Sequence, residues 1–461
     1  MRSYASSFVG GRLALLSVAL AGGCANISHT SSARVGDDGA GVLALDASAP
    51  EPPPPAPHLE VAPVGSTVAE GPATGASSKP GNLYATLPYR GVSMAGAEFG
   101  ASFGGLFNGP NLGTMPGDYY YPTSDLGKGG PNWPASGGTA VETDSMIRYF
   151  LDKGMNTVRL PFRWERLQRT LTSSKLLTGA QVVATFDPTE LAALEASVRT
   201  LTAAGFTVLV DVHNYAYYTS ASEIASAKGG DPLGSANVPD LAFENLWIGL
   251  ASIYANNARV IFDLMNEPNT PPDPSGKPAG YEWYLAAQAA VNGIRSIGAH
   301  NLVLVCGNQF AGPGAFVSGG WSDPLKEFKD PENNFAFEVH DYPDTKFGTG
   351  NTCTGGAGGT VEGVMNDLRK FVTWAKKYNA RGFLGEFAAG VDINADAACD
   401  TAMQQMLTFV TANPAIFIGW TYWAAGAGFG ADNPMNYSFF NPGREAPQWK
   451  VLAPFLVGGK P

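Results

Sequence analysis

Eight short apolar runs recur between residues 89 and 422, and amphipathic stretches separate most of them; no other property of the chain restricts its fold as tightly. The runs are Tyr89–Met94, Asn156–Leu160, Thr207–Val212, Val260–Leu264, Leu302–Cys306, Phe335–Val339, Gly382–Gly385 and Ile416–Tyr422. None repeats at 3.6 residues, so each reads as a strand buried on both faces. The intervening stretches Thr143–Lys153, Thr189–Ala204, Asp240–Tyr254, Tyr281–Ile297, Val361–Lys377 and Thr401–Thr411 have helical patterning. In the first, Met146, Ile147, Phe150 and Leu151 share a stripe that ends at Gly154, and Gly205 closes the second. Strand–helix alternation implies a parallel sheet, and eight units predict a (β/α)8 barrel rather than an open doubly wound sheet. No Gly-x-Gly-x-x-Gly follows the first run, which removes the main support for a dinucleotide fold.

The barrel accounts for residues 81–461. Residues 1–23 read as an export signal: Arg2 and Arg12 precede an apolar stretch, Leu13–Leu20, too short to span a bilayer. Ala21-Gly22-Gly23-Cys24 resembles a bacterial lipoprotein signal, in which Cys24 carries lipid and tethers the mature protein to a membrane surface; ordinary cleavage and free secretion is the other outcome. Residues 24–80, rich in Pro, Ala, Ser and Gly, read as a disordered spacer. A net charge of −11 argues against nucleic acid as a partner. Cysteine spacing fits no zinc site, and no cofactor or metal is expected. Cys306 reads as a buried free thiol. Cys353 and Cys399 fall in polar loops flanking the seventh run and could pair in an exported protein.

In a barrel the carboxyl ends of all strands converge on one face. Here those ends supply Arg159; His213, Asn214 and Tyr215; Asn266 and Glu267; His340 and Tyr342; Glu386; and Trp420 and Trp423. In Asn266-Glu267-Pro268 the proline stops regular structure and biases Glu267 toward an extended backbone. Two glutamates across a barrel mouth fit glycosidic-bond hydrolysis, where one carboxyl protonates the leaving oxygen and the other acts at the anomeric carbon. The donor needs a raised pKa, from desolvation and a nearby carboxylate. Arg159 and Tyr342 would hold the second carboxylate ionised. Trp164, Tyr215, Tyr217, Tyr218 and Trp321 are further candidates for sugar stacking.

Arg159-Leu-Pro-Phe162, Asp211-Val-His-Asn-Tyr215, Met265-Asn-Glu-Pro268, Val339-His-Asp-Tyr342, Gly385-Glu-Phe387 and Trp423 together resemble the motif set of glycoside hydrolase family 5. Gly96-Ala-Glu-Phe-Gly100 and Gly154-Met-Asn-Thr-Val-Arg159 carry the likeness toward its endo-β-1,4-glucanases of fungal type. The resemblance covers roughly 85–461. It implies a retaining endo-β-1,4-glucanase, acting as a monomer on cellulose or mixed-linkage β-glucan. Glu267 would be the acid/base and Glu386 the nucleophile. Asn266 would bind the sugar 2-hydroxyl; Arg159, His213, His340 and Tyr342 would order the carboxylates. Trp423 would be the stacking floor, with Glu98, Asn214, Tyr215 and Trp420 as further substrate contacts. Relatives also carry a disulfide bracketing strand seven, which implies Cys353–Cys399. A mannanase, xylanase or xyloglucanase would share the catalytic residues. A non-catalytic glycan-binding protein would be expected to have lost a glutamate, and a zinc hydrolase would need a ligand spacing that His213 and His340 lack.

Overall fold

The computed structural model describes residues 87–98, 141–172, 174–220, 230–269, 273–343, 353, 360–389, 397–425 and 448–456. The signal, the spacer, Cys24 and the long segment 99–140 lie outside the described residues. Eight parallel strands close into a barrel. They are β1 (Tyr89–Met94), β2 (Thr157–Phe162), β3 (Thr207–Val212), β4 (Val260–Asp263), β5 (Val303–Cys306), β6 (Phe335–His340), β7 (Gly382–Glu386) and β8 (Phe417–Ala425). β1 pairs with both β2 and β8, which leaves no free edge. The main helices are α1 (Val141–Asp152), α2 (Pro188–Ala204), α3 (Asp240–Tyr254), α4 (Tyr281–Ser296), α5 (Val361–Tyr378) and α6 (Ala397–Ala412).

The expected elements are all present within a few residues of their boundaries, because their local signals agree with their packing. At the start of α2, Asp187 accepts hydrogen bonds from the backbone N–H groups of Thr189 and Glu190, with Pro188 at the first helical position. Gly205 ends it at φ 109°, a left-handed conformation that glycine adopts without steric cost. As the pattern implies, no α-helix separates β5 from β6, only the 3-10 turns Pro313–Ala315 and Asp323–Glu327. One difference stands out. Cys399, expected in a loop, lies in the first turn of α6, and it is bonded to Cys353.

Each strand is buried on both faces, and the two faces differ. Outward residues such as Val208, Val210 and Val212 join the large core under the helices. Inward, at the amino-terminal ends of the strands, Leu209, Ile261, Leu304, Ala336 and Phe383 form a separate apolar floor. Two residues further along the same strands, hence on the same face, stand Asp211, Asp263, Cys306, Glu338 and Gly385. The apolar reading of Val260–Leu264 therefore needs correcting at Asp263, which is buried and points into the barrel at Arg159. A Cβ at Gly385 would sit 1.7 Å from Glu338 Oε1, so only glycine fits beside that carboxylate.

Candidate active site

Arg159 ties the barrel interior together from β2. Its Nε donates to Asp263 at 2.7 Å, Nη1 to Glu386 at 2.7 Å and Nη2 to Asn266 Oδ1 at 2.8 Å. Asp211 and Glu338 lie 3.1 and 3.3 Å from the same guanidinium. Complete burial works against its charge, but the four surrounding carboxyl groups outweigh that and hold its pKa well above the ordinary value.

Glu386 reaches the site through a register irregularity. β6 and β7 pair Val339 with Leu384 and then His340 with Glu386, skipping Gly385. Strict alternation would aim Glu386 outward; the extra residue turns it to the cleft. Arg159 Nη1 and the Tyr342 hydroxyl donate to its two oxygens at 2.7 and 2.6 Å. These charge-assisted bonds fix the carboxyl group in one orientation at the cleft.

Glu267 leaves β4 with φ 44°. The extended backbone expected from Pro268 is not what forms. Proline disfavours the right-handed helical region at 267, and interstrand bonds then select the left-handed one. Tyr215 N–H donates to Asn266 O, Asn269 N–H to Tyr215 O and Phe310 N–H to Pro268 O, clamping the segment on both sides. The Glu267 side chain is 15% exposed. Burial is the main cause that raises its pKa; the Glu386 charge adds to this, while His340 opposes it. A carboxyl in that setting keeps a proton to donate.

His340 stands between the two glutamates. Its Nδ1 is 2.9 Å from Glu267 and 3.5 Å from Glu386, and Nε2 is 3.1 Å from Glu338. Burial disfavours the charged ring, but Glu386, Glu267 and Glu338 overcome it and raise its pKa to about 10. His213 behaves oppositely: burial pushes its pKa well below the usual range. The neutral ring sits 2.8 Å from Asp211 through Nδ1 and 3.3 Å from the Tyr215 hydroxyl through Nε2. It also stacks on Trp423, with centroids 5.4 Å apart and planes 14° from parallel. The Trp423–Ala424 peptide bond is cis.

The sequence-predicted residues thus fall into two groups. Arg159, His213, Tyr215, Asn266, Glu267, His340, Tyr342, Glu386 and Trp423 converge. Trp420 does not: it faces outward from β8, fully buried and edge-on to Phe387, and cannot reach a sugar. Asn214 is also a corrected substrate contact. Its Oδ1 accepts from Trp164 N–H, and its Nδ2 donates to Glu165 and the Tyr217 carbonyl, so the whole amide is spent on the loop. Trp164 and Tyr218 pack against each other inside the core, 5.1 Å between centroids, and form no subsite. Glu98 is buried, accepts from Gly96 N–H, and has its pKa raised by burial to about 8.

Sequence reading missed Asp263, Glu338 and Glu165 as parts of the site and did not single out Asp211. A usable signal existed. Asp211 precedes His213, and Glu338 precedes His340, by two residues in a strand, which places each pair on one face. One oxygen each of Glu267 and Glu386 and a ring nitrogen of His340 lie within 4.8 Å of one another, as do ligand atoms of Cys306, Glu338 and His340. An ion at either place would have to displace a His340–carboxylate hydrogen bond.

A barrel with two carboxyls facing across its mouth, one held by Arg and Tyr and the other beside a His, defines a glycoside hydrolase. The profile of Cellulase (glycosyl hydrolase family 5) matches residues 123–427, and the chain belongs to that family. It is 30% identical over 342 residues to endo-beta-1,4-glucanase B of Aspergillus niger, covering 74% of this chain and 82% of that one. An endo-beta-1,4-glucanase from Xanthomonas axonopodis pv. citri has a similar structure, with 32% identity, TM-score 0.62, and coverage of 81% of this chain and 100% of that one. A structure of XacCel5A in complex with cellopentaose matches at 34% identity and TM-score 0.62, covering 80% and 99%.

Proposed function

We propose that this protein is an endo-β-1,4-glucanase that cleaves internal bonds of cellulose or mixed-linkage β-glucan by double displacement with retention. The observation that carries the mechanism is the closeness of the two carboxyls: one oxygen of Glu267 and one of Glu386 lie within 4.8 Å of each other, at 2.9 and 3.5 Å from His340 Nδ1. Retaining enzymes hold their carboxyls about 5–5.5 Å apart, whereas inverting ones need about 6.5–9.5 Å to admit a water. The environments support distinct roles for the two. Glu386, held by Arg159 and Tyr342, attacks the anomeric carbon as Glu267 protonates the departing glycosidic oxygen. Glu267, now a carboxylate beside His340, then takes a proton from the water that displaces Glu386. Trp423 supports the sugar ring, and Asn266, oriented by Arg159, meets its 2-hydroxyl.

The names of the relatives and the cellopentaose complex of one of them support a β-1,4-glucan as the substrate. Initial products followed by NMR should have the β configuration; α-anomer appearing first would overturn retention. Soluble glucan, mannan, xylan and xyloglucan compared side by side should give the highest rate on glucan, and a higher rate on another polymer would reassign the substrate.

Export agrees with the Cys353–Cys399 disulfide, which persists in oxidising compartments. Among the described residues no helix is long and apolar enough to cross a membrane. The reading extends to residues 1–23 as signal, Cys24 as lipid anchor, 24–80 as spacer and a monomeric catalytic unit. Cys24→Ala should move the enzyme from the membrane fraction to the medium; unchanged partitioning would remove the anchor.

A further inference from the structure

His340 has a carboxyl group on each ring nitrogen, and only one of the two partners is in the cleft. Its Nε2 partner, Glu338, is fully buried and cannot touch a sugar. Glu338 Oε1 also lies 3.3 Å from Arg159 Nε, the nitrogen that donates to Asp263 Oδ2 at 2.7 Å. Both carboxyls therefore meet at one guanidinium nitrogen, and Asp263 Oδ1 and Glu338 Oε2 are buried without a hydrogen-bond partner. Two carboxyl groups in such contact share one proton, because the second charge would be unscreened. Burial and the Glu338 charge put that proton on Asp263, whose pKa stands well above the ordinary range. Burial opposes ionisation of Glu338 as well, but Arg159 and His340 hold its pKa down to about 2.

We propose that Glu338 and Asp263 form a one-proton carboxyl pair beneath His340 that fixes the imidazole ring and keeps it cationic, and thereby governs proton retention by Glu267 and His340 together. Glu338 and Asp263 are positioning residues: they act through His340 and touch no reacting atom. This rests on the reading of Glu267 as acid/base. His340 is faced by Asp211 from β3, His213 just after it and Glu267 after β4, while Arg159 from β2 and Asp263 from β4 stand behind Glu338. Cys306 faces it from β5, Glu338 from its own strand and Glu386 from β7, the last bonded to Tyr342. Glu338 is fully buried and has no cleft-facing role, so neutralising it leaves the substrate contacts in place.

The test is the pH profile of kcat/KM on carboxymethyl cellulose. Glu338→Gln keeps the shape and removes the charge, which weakens the hold of the Glu267–His340 pair on its protons. The alkaline limb should move down by about one pH unit. Asp263→Asn should leave that limb in place, since the amide donates to Glu338 as the shared proton did. A Glu338→Gln profile that superimposes on wild type, or an equal loss of rate at every pH in both variants, would overturn the proposal. A second measurement needs neither variant. The chain has five His, so ¹⁵N-histidine NMR of the wild-type enzyme, assigned with His340→Gln, should show His340 as a cation at neutral pH. A neutral ring there would also overturn the proposal. Failure of the acid/base reading is separately visible, as wild-type activity in Glu267→Gln.

Discussion

Leu209, Ile261, Leu304, Ala336 and Phe383 lie one step below Asp211, Asp263, Cys306, Glu338 and Gly385 on the same five strands, and the two rows have opposite chemistry. Both are buried. The lower row is apolar and tolerant: what it contributes is area removed from water, about 1.5–3 kcal/mol for each large side chain. The upper row holds three carboxyls around Arg159, where desolvation costs several kcal/mol per ion and only close geometry offsets it. A barrel can therefore fold on its floor, while its charged row is a burden on stability that serves the glutamates above.

Substitutions in the two rows should separate these roles. The largest effect belongs to the cleft itself: Glu386→Gln should lower kcat on carboxymethyl cellulose on the order of 10⁴-fold while binding persists. Kinetics together with calorimetric binding checks this, and retained activity would reassign the nucleophile. Arg159→Met leaves the surrounding carboxyls without their shared cation. Urea unfolding should show about 3–5 kcal/mol lost, together with activity. Leu304→Ala in the floor should cost about 3 kcal/mol in the same assay. Its kcat/KM profile should keep the wild-type pH dependence; a displaced limb would mean that the rows are coupled. Ile261→Val, the mildest, should cost about 1 kcal/mol.

The pH dependence of stability sharpens the contrast. His340 is raised from 6.5 to about 10, so its contribution is complete below the unfolded value and is lost as pH rises through the folded one. Asp211, raised mainly by burial to about 7, and Glu98, to about 8, bind protons more tightly in the folded state. Both therefore also lower stability as pH rises. Glu338, depressed to about 2, stabilises above the ordinary carboxylate range and is lost only as pH falls toward 2. The melting temperature should thus fall as pH rises from neutral toward 10. Leu304→Ala should follow a parallel curve.

Much of the set that converges at the barrel mouth was legible because each member closes an apolar run, and strand ends converge in a barrel. Trp420 and Asn214 were misplaced because proximity to a strand end does not say which face a side chain takes. Trp420 turned out to face the helices, and the Asn214 amide was consumed by Trp164, Glu165 and Tyr217. Asp263 and Glu338 were passed over because a carboxylate inside an apolar run looks like an interruption until its partner on another strand is known.

By itself the sequence determined the eight-fold alternation, the strands and helices to within a few residues, and the candidacy of Glu267 and Glu386, all of which follow from periodicity, caps and strand-end residue type. Closure decided the rest. It brought Arg159 against carboxyls from β3, β4, β6 and β7, and it clamped Glu267 in a left-handed conformation between β3 and the loop after β5. It also inserted the extra residue in β7 that turns Glu386 inward. Those are contacts between residues far apart in the chain, and no local pattern encodes which charges will share a buried site or how a register slip will aim a side chain.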